Sequence, residues 1–376
     1  MSSQQEKYYL GGLIKDLDKE NTPQKSDGDI SKDETTYKSL SNKKFLSDDS
    51  AFHCLYNFNT FSPAFNKFSL YSDQTVLNGN FFFSKNNILT AFYSQKSTKI
   101  LQKILSGASK EIIDKILKEL SGNFKTIIKN KNGNYFCSDL FKACNKEQLL
   151  KIIRELSPTI SQDCTDEFGT HPIQNLIELS SKEEEFKLLL CSFNNMDNIL
   201  MASLNQNGAF VVQKLIVHIP EKFRMNFNLI FVKFVCILSR DMYGVCTVKK
   251  FVGYTQNELI VKQILNSILS NFVNISQSQY GNYLIQYLLE KWWETAEGEY
   301  LKRVIISKFR ILASNNYSFF VCDLFLKLSN SEEKKNFINS FNDYKTVGNM
   351  KNDKDKIQFN LNKITNDLDE NKEKNE

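Results

Sequence analysis

No apolar run in this chain is long enough to cross a bilayer. The most apolar stretch, 227–239, is interrupted by Lys233 and closed by Arg240, short of the roughly 20 residues a spanning helix needs. The first ten residues, MSSQQEKYYL, lack the charged start, apolar core and small-residue cleavage site of a secretory signal. The expected location is therefore cytoplasmic, with no membrane partner. No Cys-x-x-Cys pair occurs among Cys54, Cys137, Cys144, Cys164, Cys191, Cys236, Cys246 and Cys322, and six or more residues separate every neighbouring pair. That spacing speaks against a zinc site, and scattered thiols in a chain without an export signal are expected to be reduced and buried as small hydrophobes. There is no Gly-rich phosphate loop, no metal-ligand cluster, and no nucleophile–base pair around His53 or His218. No enzyme and no cofactor are expected. Proline is scarce, five residues against 30 Phe, which suits packed helices.

What is present is a globular composition, 41% hydrophobic, 12% aromatic and 24% charged. The net charge of +5 is diluted by the two ends. Residues 1–50 hold 8 Lys and 10 acids, and residues 343–376 hold 7 Lys and 8 acids. The middle, 51–342, keeps 33 basic against 25 acidic residues, a net of +8. Basic surface of this kind favours a polyanionic partner. Residues 1–50 are polar with few periodic apolar positions and read as a flexible extension. The tail 343–376 is polar too, although Ile357, Phe359, Leu361 and Ile364 keep some helical potential.

Between these ends the chain repeats itself. Seven segments align without gaps over their central part: SQKSTKILQKIL (94–105), KNKNGNYFCSDLF (129–141), TDEFGTHPIQNLI (165–177), LNQNGAFVVQKLI (204–216), RDMYGVCTVKKFV (240–252), SQSQYGNYLIQYLL (276–289) and SNNYSFFVCDLFL (314–326). A small residue recurs before each helix, at Ser97, Gly133, Gly169, Gly208, Gly244, Gly281 and Ser318. The residues after it are spaced 36, 36, 39, 36, 37 and 37 apart. The three extra residues of the third interval are expected in an inter-helix loop around 180–185, where insertions are tolerated. Apolar residues fall at the third, fourth, seventh and eighth positions after the small residue, as in Leu284, Ile285, Leu288 and Leu289, so one side of each helix is buried. Amphipathic runs between the segments, such as 110–120, 146–156 and 258–269, supply a second long helix per repeat. Units of about 36 residues that cannot bury their faces alone make a stacked solenoid.

The wording of these segments resembles the Pumilio, or PUF, family, most plainly in Tyr280-Gly-Asn-Tyr-Leu-Ile-Gln286, and also in Gly133-Asn-Tyr-Phe-Cys and Phe168-Gly-Thr-His-Pro-Ile-Gln174. The resemblance covers 89–342, with 51–88 as an N-terminal flank. It implies an all-α, curved right-handed solenoid of about seven recognisable Pumilio-type repeats, with room for a degenerate eighth. It also implies single-stranded RNA on the inner face, one base per repeat, running antiparallel to the protein. Geometry argues the same way: the first residue after the small one and the residue four later share a helix face. Asn282 and Gln286 can thus meet one base edge while Tyr283 stacks, and by analogy with the family this repeat reads U.

The other repeats depart from that pattern. Asn134 and Tyr135 keep two thirds of a uracil reader, with the shorter Ser138 in place of Gln. Thr170, His171 and Gln174 look like a purine reader with a stacking imidazole, while Thr98 and Gln102 could read a purine with Lys99 against the backbone. Gln213 beside Ala209 is half a readout, with Phe210 as stacker. Val245, Cys246 and Lys249 form no base-reading pair, although Lys249 could contact a phosphate or base carbonyl. Phe319, Phe320 and Asp323 lack the Ser and Glu that family members use for guanine, so the family's UGUA target is not carried over. The expected activity is binding to 3′ untranslated regions of messenger RNA by a monomer, with repressor or deadenylation proteins recruited through the outer face. A Pumilio-shaped protein scaffold and an RNA binder in ribosome assembly are the competing readings. Armadillo and HEAT scaffolds are disfavoured because their period is about 40–47 residues.

Overall fold

The computed structural model describes residues 84–193 and 195–334, all within a compact unit spanning Asn66–Glu376. The expectations for 1–50, for 343–376 including an eighth repeat, and for 51–83 lie outside the described residues. Every regular element among the described residues is helical, and the all-α expectation holds there.

The seven segments become seven motif helices: Gln95–Leu105, Gly133–Ala143, Thr170–Leu179, Gly208–His218, Gly244–Tyr254, Gly281–Trp292 and Phe319–Leu328. Each packs against the next through the whole series. A long helix follows each of the first six, at Lys110–Leu120, Lys146–Leu156, Glu183–Cys191, Glu221–Val232, Glu258–Ser270 and Ala296–Ala313. A third, usually shorter helix leads into each of repeats 1 to 6. The one opening repeat 1, Lys85–Ala91, starts inside the expected 51–88 flank. The apolar stripe faces inward: Val211, Val212, Leu215 and Ile216 of repeat 4, and Leu284, Ile285, Leu288 and Leu289 of repeat 6, are all buried. Each such side chain contributes about 1.5–3 kcal/mol on burial, most of it offset by the entropy of ordering the chain. A single repeat is thus marginal, and contacts between repeats carry the stack. Phe92 against Phe136 (5.2 Å between ring centroids) and Phe231 against Phe251 (4.4 Å) are two of these joints.

Each motif helix starts in the same way. Three residues before the small residue stands Asn, Asp or Ser: Ser94, Asn130, Asp166, Asn205, Asp241, Ser278 and Asn315. Its side-chain oxygen accepts the backbone N–H of the small residue, at 2.9 Å in Gly133 and Gly169, 3.0 Å in Gly208, 2.7 Å in Gly244 and 2.8 Å in Gly281. The bonds to Ser97 and Ser318 are longer, 3.3 and 3.2 Å. One of the orphan donors of every motif-helix N-terminus is satisfied by this local turn.

The small residue itself answers a close approach. A Cβ on Gly281 would lie 2.3 Å from the carbonyl oxygen of Ile275, and at Gly133, Gly169, Gly208 and Gly244 the corresponding carbonyl, always six residues earlier, would be 2.5–2.7 Å away. Ser318 meets the same carbonyl differently, its hydroxyl donating to Leu312 O at 2.6 Å.

The three extra residues of the third interval are not in the loop around 180–185. Repeat 4 opens with Met196–Leu204, nine residues where the equivalent helices Phe124–Ile128, Ile160–Asp163, Val235–Leu238 and Phe272–Ser276 have four or five. Three residues are close to one helical turn of 3.6, so a lengthened helix absorbs them and still presents the same face to Gly208.

Candidate nucleic-acid interface

In all seven motif helices the first three candidate positions have the same environment except at one place. The residue after the small one is buried in Thr98, Asn134, Thr170, Ala209, Val245 and Asn282, and half-buried in Phe319. The next residue is exposed in every repeat: Lys99, Tyr135, His171, Phe210, Cys246, Tyr283 and Phe320. The residue four after the first is half-buried in Gln102, Ser138, Gln174, Gln213, Lys249, Gln286 and Asp323. Large rings in open water are uncommon, yet Tyr135 (62% exposed), Tyr283 (56%), Phe320 (51%) and Phe210 (39%) recur at one helical position. Such a row of aromatic faces can stack planar ligands.

The polar residues flanking the rings are tied down from within. Asn282, 2% exposed, spends both amide protons on the carbonyls of Ser278 (3.0 Å) and Gln279 (2.9 Å), and its oxygen accepts from Gln286 Nε2 at 2.9 Å. Asn134 donates in the same way to Asn130 O (3.0 Å) and Lys131 O (2.7 Å). Thr98 Oγ1 donates to Ser94 O (3.0 Å) and Ala91 O (3.2 Å). Thr170 Oγ1 donates to Asn207 O of the following repeat (3.0 Å) and accepts from Gln174 Nε2 (3.1 Å). Where it is polar, the first position is therefore held by backbone carbonyls. In repeats 3 and 6 the first and fifth positions are directly bonded, as their spacing of one turn requires. Gln286 Nε2 also reaches Asn282 O at 3.4 Å, so the Gln286 oxygen is the group left for a ligand, and Asn282 retains a single oxygen lone pair.

Elsewhere the fifth position is engaged differently. Gln102 Nε2 donates to Asp139 Oδ2 of the next repeat at 2.6 Å. Gln213 Nε2 reaches Thr247 Oγ1 at 3.5 Å, and Asp323 Oδ2 accepts from Lys327 Nζ at 2.8 Å. Phe319 and Phe320 lie edge to face, 5.8 Å between centroids, so repeat 7 presents paired rings. Burial holds the pKa of His171 below the usual histidine value, which favours the neutral, stacking ring. Two features lie outside the sequence expectations. One is the Asn, Asp or Ser three residues before each small residue, which was visible in all seven segments. The other is Tyr287, whose ring lies 5.6 Å from Lys249 Nζ. Among the described residues no group of three His, Cys, Asp or Glu could hold a metal ion, and no helix is long and apolar enough to cross a membrane.

Stacked helical repeats, each offering one exposed position, a planar ring in five of the seven, beside one half-buried position, define a helical-repeat module. Parts of the array are similar to known families. Residues 83–200 match the NOP9-like PUF repeat domain, and residues 198–226 and 271–292 match the Pumilio-family RNA binding repeat. Pumilio homolog 12 of Arabidopsis thaliana is 26% identical over 255 residues, 66% of this chain but 42% of the relative, so the chain spans about two fifths of that protein's length. Among solved structures, a Puf4 mutant bound to a Cox17 RNA 3′ UTR recognition sequence superposes with a TM-score of 0.63 at 17% identity, covering 77% of this chain and 97% of that one. The RNA-binding domain of yeast Puf5p bound to AAT2 RNA gives 0.58 at 21% identity, covering 64% and 68%. The fold is that of the Puf repeat solenoids, and the matched stretches are similar to PUF repeats.

Proposed function

We propose that this chain binds single-stranded RNA sequence-selectively along its motif-helix face, and through that binding represses or destabilises messenger RNAs by their 3′ untranslated regions. The observation that carries the reading is the sevenfold recurrence of an exposed second position, aromatic in Tyr135, Phe210, Tyr283 and Phe320, beside a half-buried fifth position. Stacking on such rings holds bases regardless of identity, and the fifth-position side chains supply discrimination. The RNA-bound state of the Puf4 and Puf5p neighbours supports the ligand class. We place the protein in the cytoplasm, acting as a monomer, with repressor or deadenylation proteins on the outer face formed by the long helices.

A scaffold with reduced readout draws support from repeat 7, whose carboxylate Asp323 is paired with Lys327 and whose rings also suit a protein contact. Selection of bound RNAs from a random pool with the full chain separates the two readings. Enrichment of a short single-stranded motif is the expected result. Affinity should also fall steeply between low and physiological salt, because the net +8 of residues 51–342 releases counterions from the phosphates it neutralises. No binding even at low salt would leave the scaffold.

A further inference from the structure

Repeat 5 differs from the amide-bearing repeats in a way that suggests what it selects. Its first position, Val245, is buried and apolar, so neither a donor nor an acceptor comes from it. Its second, Cys246, is exposed. Its fifth, Lys249, carries only donors. The Lys249 ammonium leans towards the next repeat, 6.0 Å from the ring centroid of Tyr283 and 5.6 Å from that of Tyr287. It is half-buried, and none of the hydrogen bonds or ion pairs among the described residues uses its protons. Burial pushes its pKa below the usual lysine value, against the opposing influence of Cys246 and Glu290. A half-buried ammonium without a hydrogen-bond acceptor is costly, and two aromatic faces offset only part of that cost. Solvent or a bound ligand can supply those acceptors.

The identity of those acceptors follows from the base edges. If repeat 6 reads the Watson–Crick edge through Gln286, the adjacent repeat faces the same edge of the neighbouring base. On that edge uracil places an N–H between two carbonyls, guanine shows two donors beside one carbonyl, and adenine one acceptor beside an amino group. Cytosine alone shows two adjacent acceptors, O2 and N3. We propose that repeat 5 selects cytosine, the Lys249 ammonium donating to O2 and N3 of a base stacked beside Tyr283. This rests on the RNA-binding reading above and adds a specificity that the amide-bearing repeats do not have.

The test is competition binding by the full chain, with RNAs carrying each of the four bases at the position next to the uracil assigned to repeat 6. Cytosine should be preferred over uracil by about tenfold, within the range of a good side-chain pairing to a base edge. Lys249→Met should abolish that preference, and Lys249→Arg should keep it. The double change Val245→Asn with Lys249→Gln installs the amide pair of repeat 6 and should move the preference to uracil. Circular dichroism melts matching the wild type establish that each variant is folded, and Lys249→Arg remains informative if the buried Val245→Asn change is not tolerated. Equal affinity for all four bases at this position overturns the inference, as does a Lys249→Met variant that weakens all four equally, the behaviour of a phosphate contact. If uracil is still selected at repeat 6 while cytosine is not selected beside it, this inference alone fails. If no RNA is bound, the functional reading fails and takes the inference with it.

Discussion

Replacing Gly281 by alanine places one methyl group where the fold has no room for it. The new Cβ would lie 2.3 Å from Ile275 O, 2.7 Å from Ser278 Oγ and 2.9 Å from Ile275 Cγ2. The serine hydroxyl can turn away, but the Ile275 carbonyl belongs to a short helix and its side chain is fully buried, so the whole start of Gly281–Trp292 must shift. Overpacking of this kind costs about 1–3 kcal/mol. Alanine recovers up to about 1 kcal/mol of that, through its better helix propensity and the smaller entropy of the unfolded chain. The expected net loss is about 1–2 kcal/mol, centred on repeats 5 to 7. Gly107 is the control, because a Cβ there meets nothing within 4 Å, and Gly107→Ala should be neutral or stabilising by about 0.4–1 kcal/mol. Urea unfolding followed by circular dichroism gives the sign. Amide hydrogen exchange then localises it, which matters because a repeat stack need not unfold in two states. If Gly281→Ala proves as stable as Gly107→Ala, close approach is not the reason a small residue recurs there.

Three other results are expected. Alkylation of the native protein with a small maleimide should label exposed Cys191 and Cys246 quickly, and should spare Cys137 and Cys322, which are buried with their thiol pKa pushed up. Bound RNA should slow labelling at Cys246 and leave Cys191 unchanged, as read by peptide mass spectrometry. Lys129→Ala should destabilise the stack by about 1–3 kcal/mol in urea melts, because it strands the fully buried Asp163 carboxylate, which among the described residues would keep Thr159 Oγ1 as its side-chain partner at 2.6 Å. Ser318→Ala should cost about 1 kcal/mol by removing the buried bond to Leu312 O.

Much of this architecture could be read from the sequence because the repeat multiplies weak signals. One small residue before one amphipathic helix is ambiguous, whereas seven at a near-constant spacing fix the motif helices, and the ends of Lys110–Leu120 and Lys146–Leu156 follow from composition alone. The exposure of Tyr135, Tyr283 and Phe320 followed from the stripe occupying the opposite face. Three things were not legible for identifiable reasons. The burial of Asn134 and Asn282 depends on how deeply each turn sits against its neighbours, which periodicity does not encode. The insertion before Gly208 looked like loop material because sequence spacing does not distinguish a longer loop from an added helical turn. The pairing of Gln102 with Asp139 and of Lys249 with Tyr287 joins residues of adjacent repeats, and their distances are set only once the repeats are stacked.

The central claim is that one face of each motif helix can discriminate bases, and repeat 6 tests it most directly. In the double variant Asn282→Ser and Gln286→Glu, the serine hydroxyl can donate to Ser278 O as Thr98 does to Ser94 O, which keeps the tie to the backbone. The new carboxylate then offers acceptors to the two donors on guanine's edge, which uracil cannot match. Competition binding with RNAs varied one position at a time should show preference moving from U to G at a single position, with the other positions unchanged. A uniform loss of affinity across all four bases at that position would contradict base reading by this face.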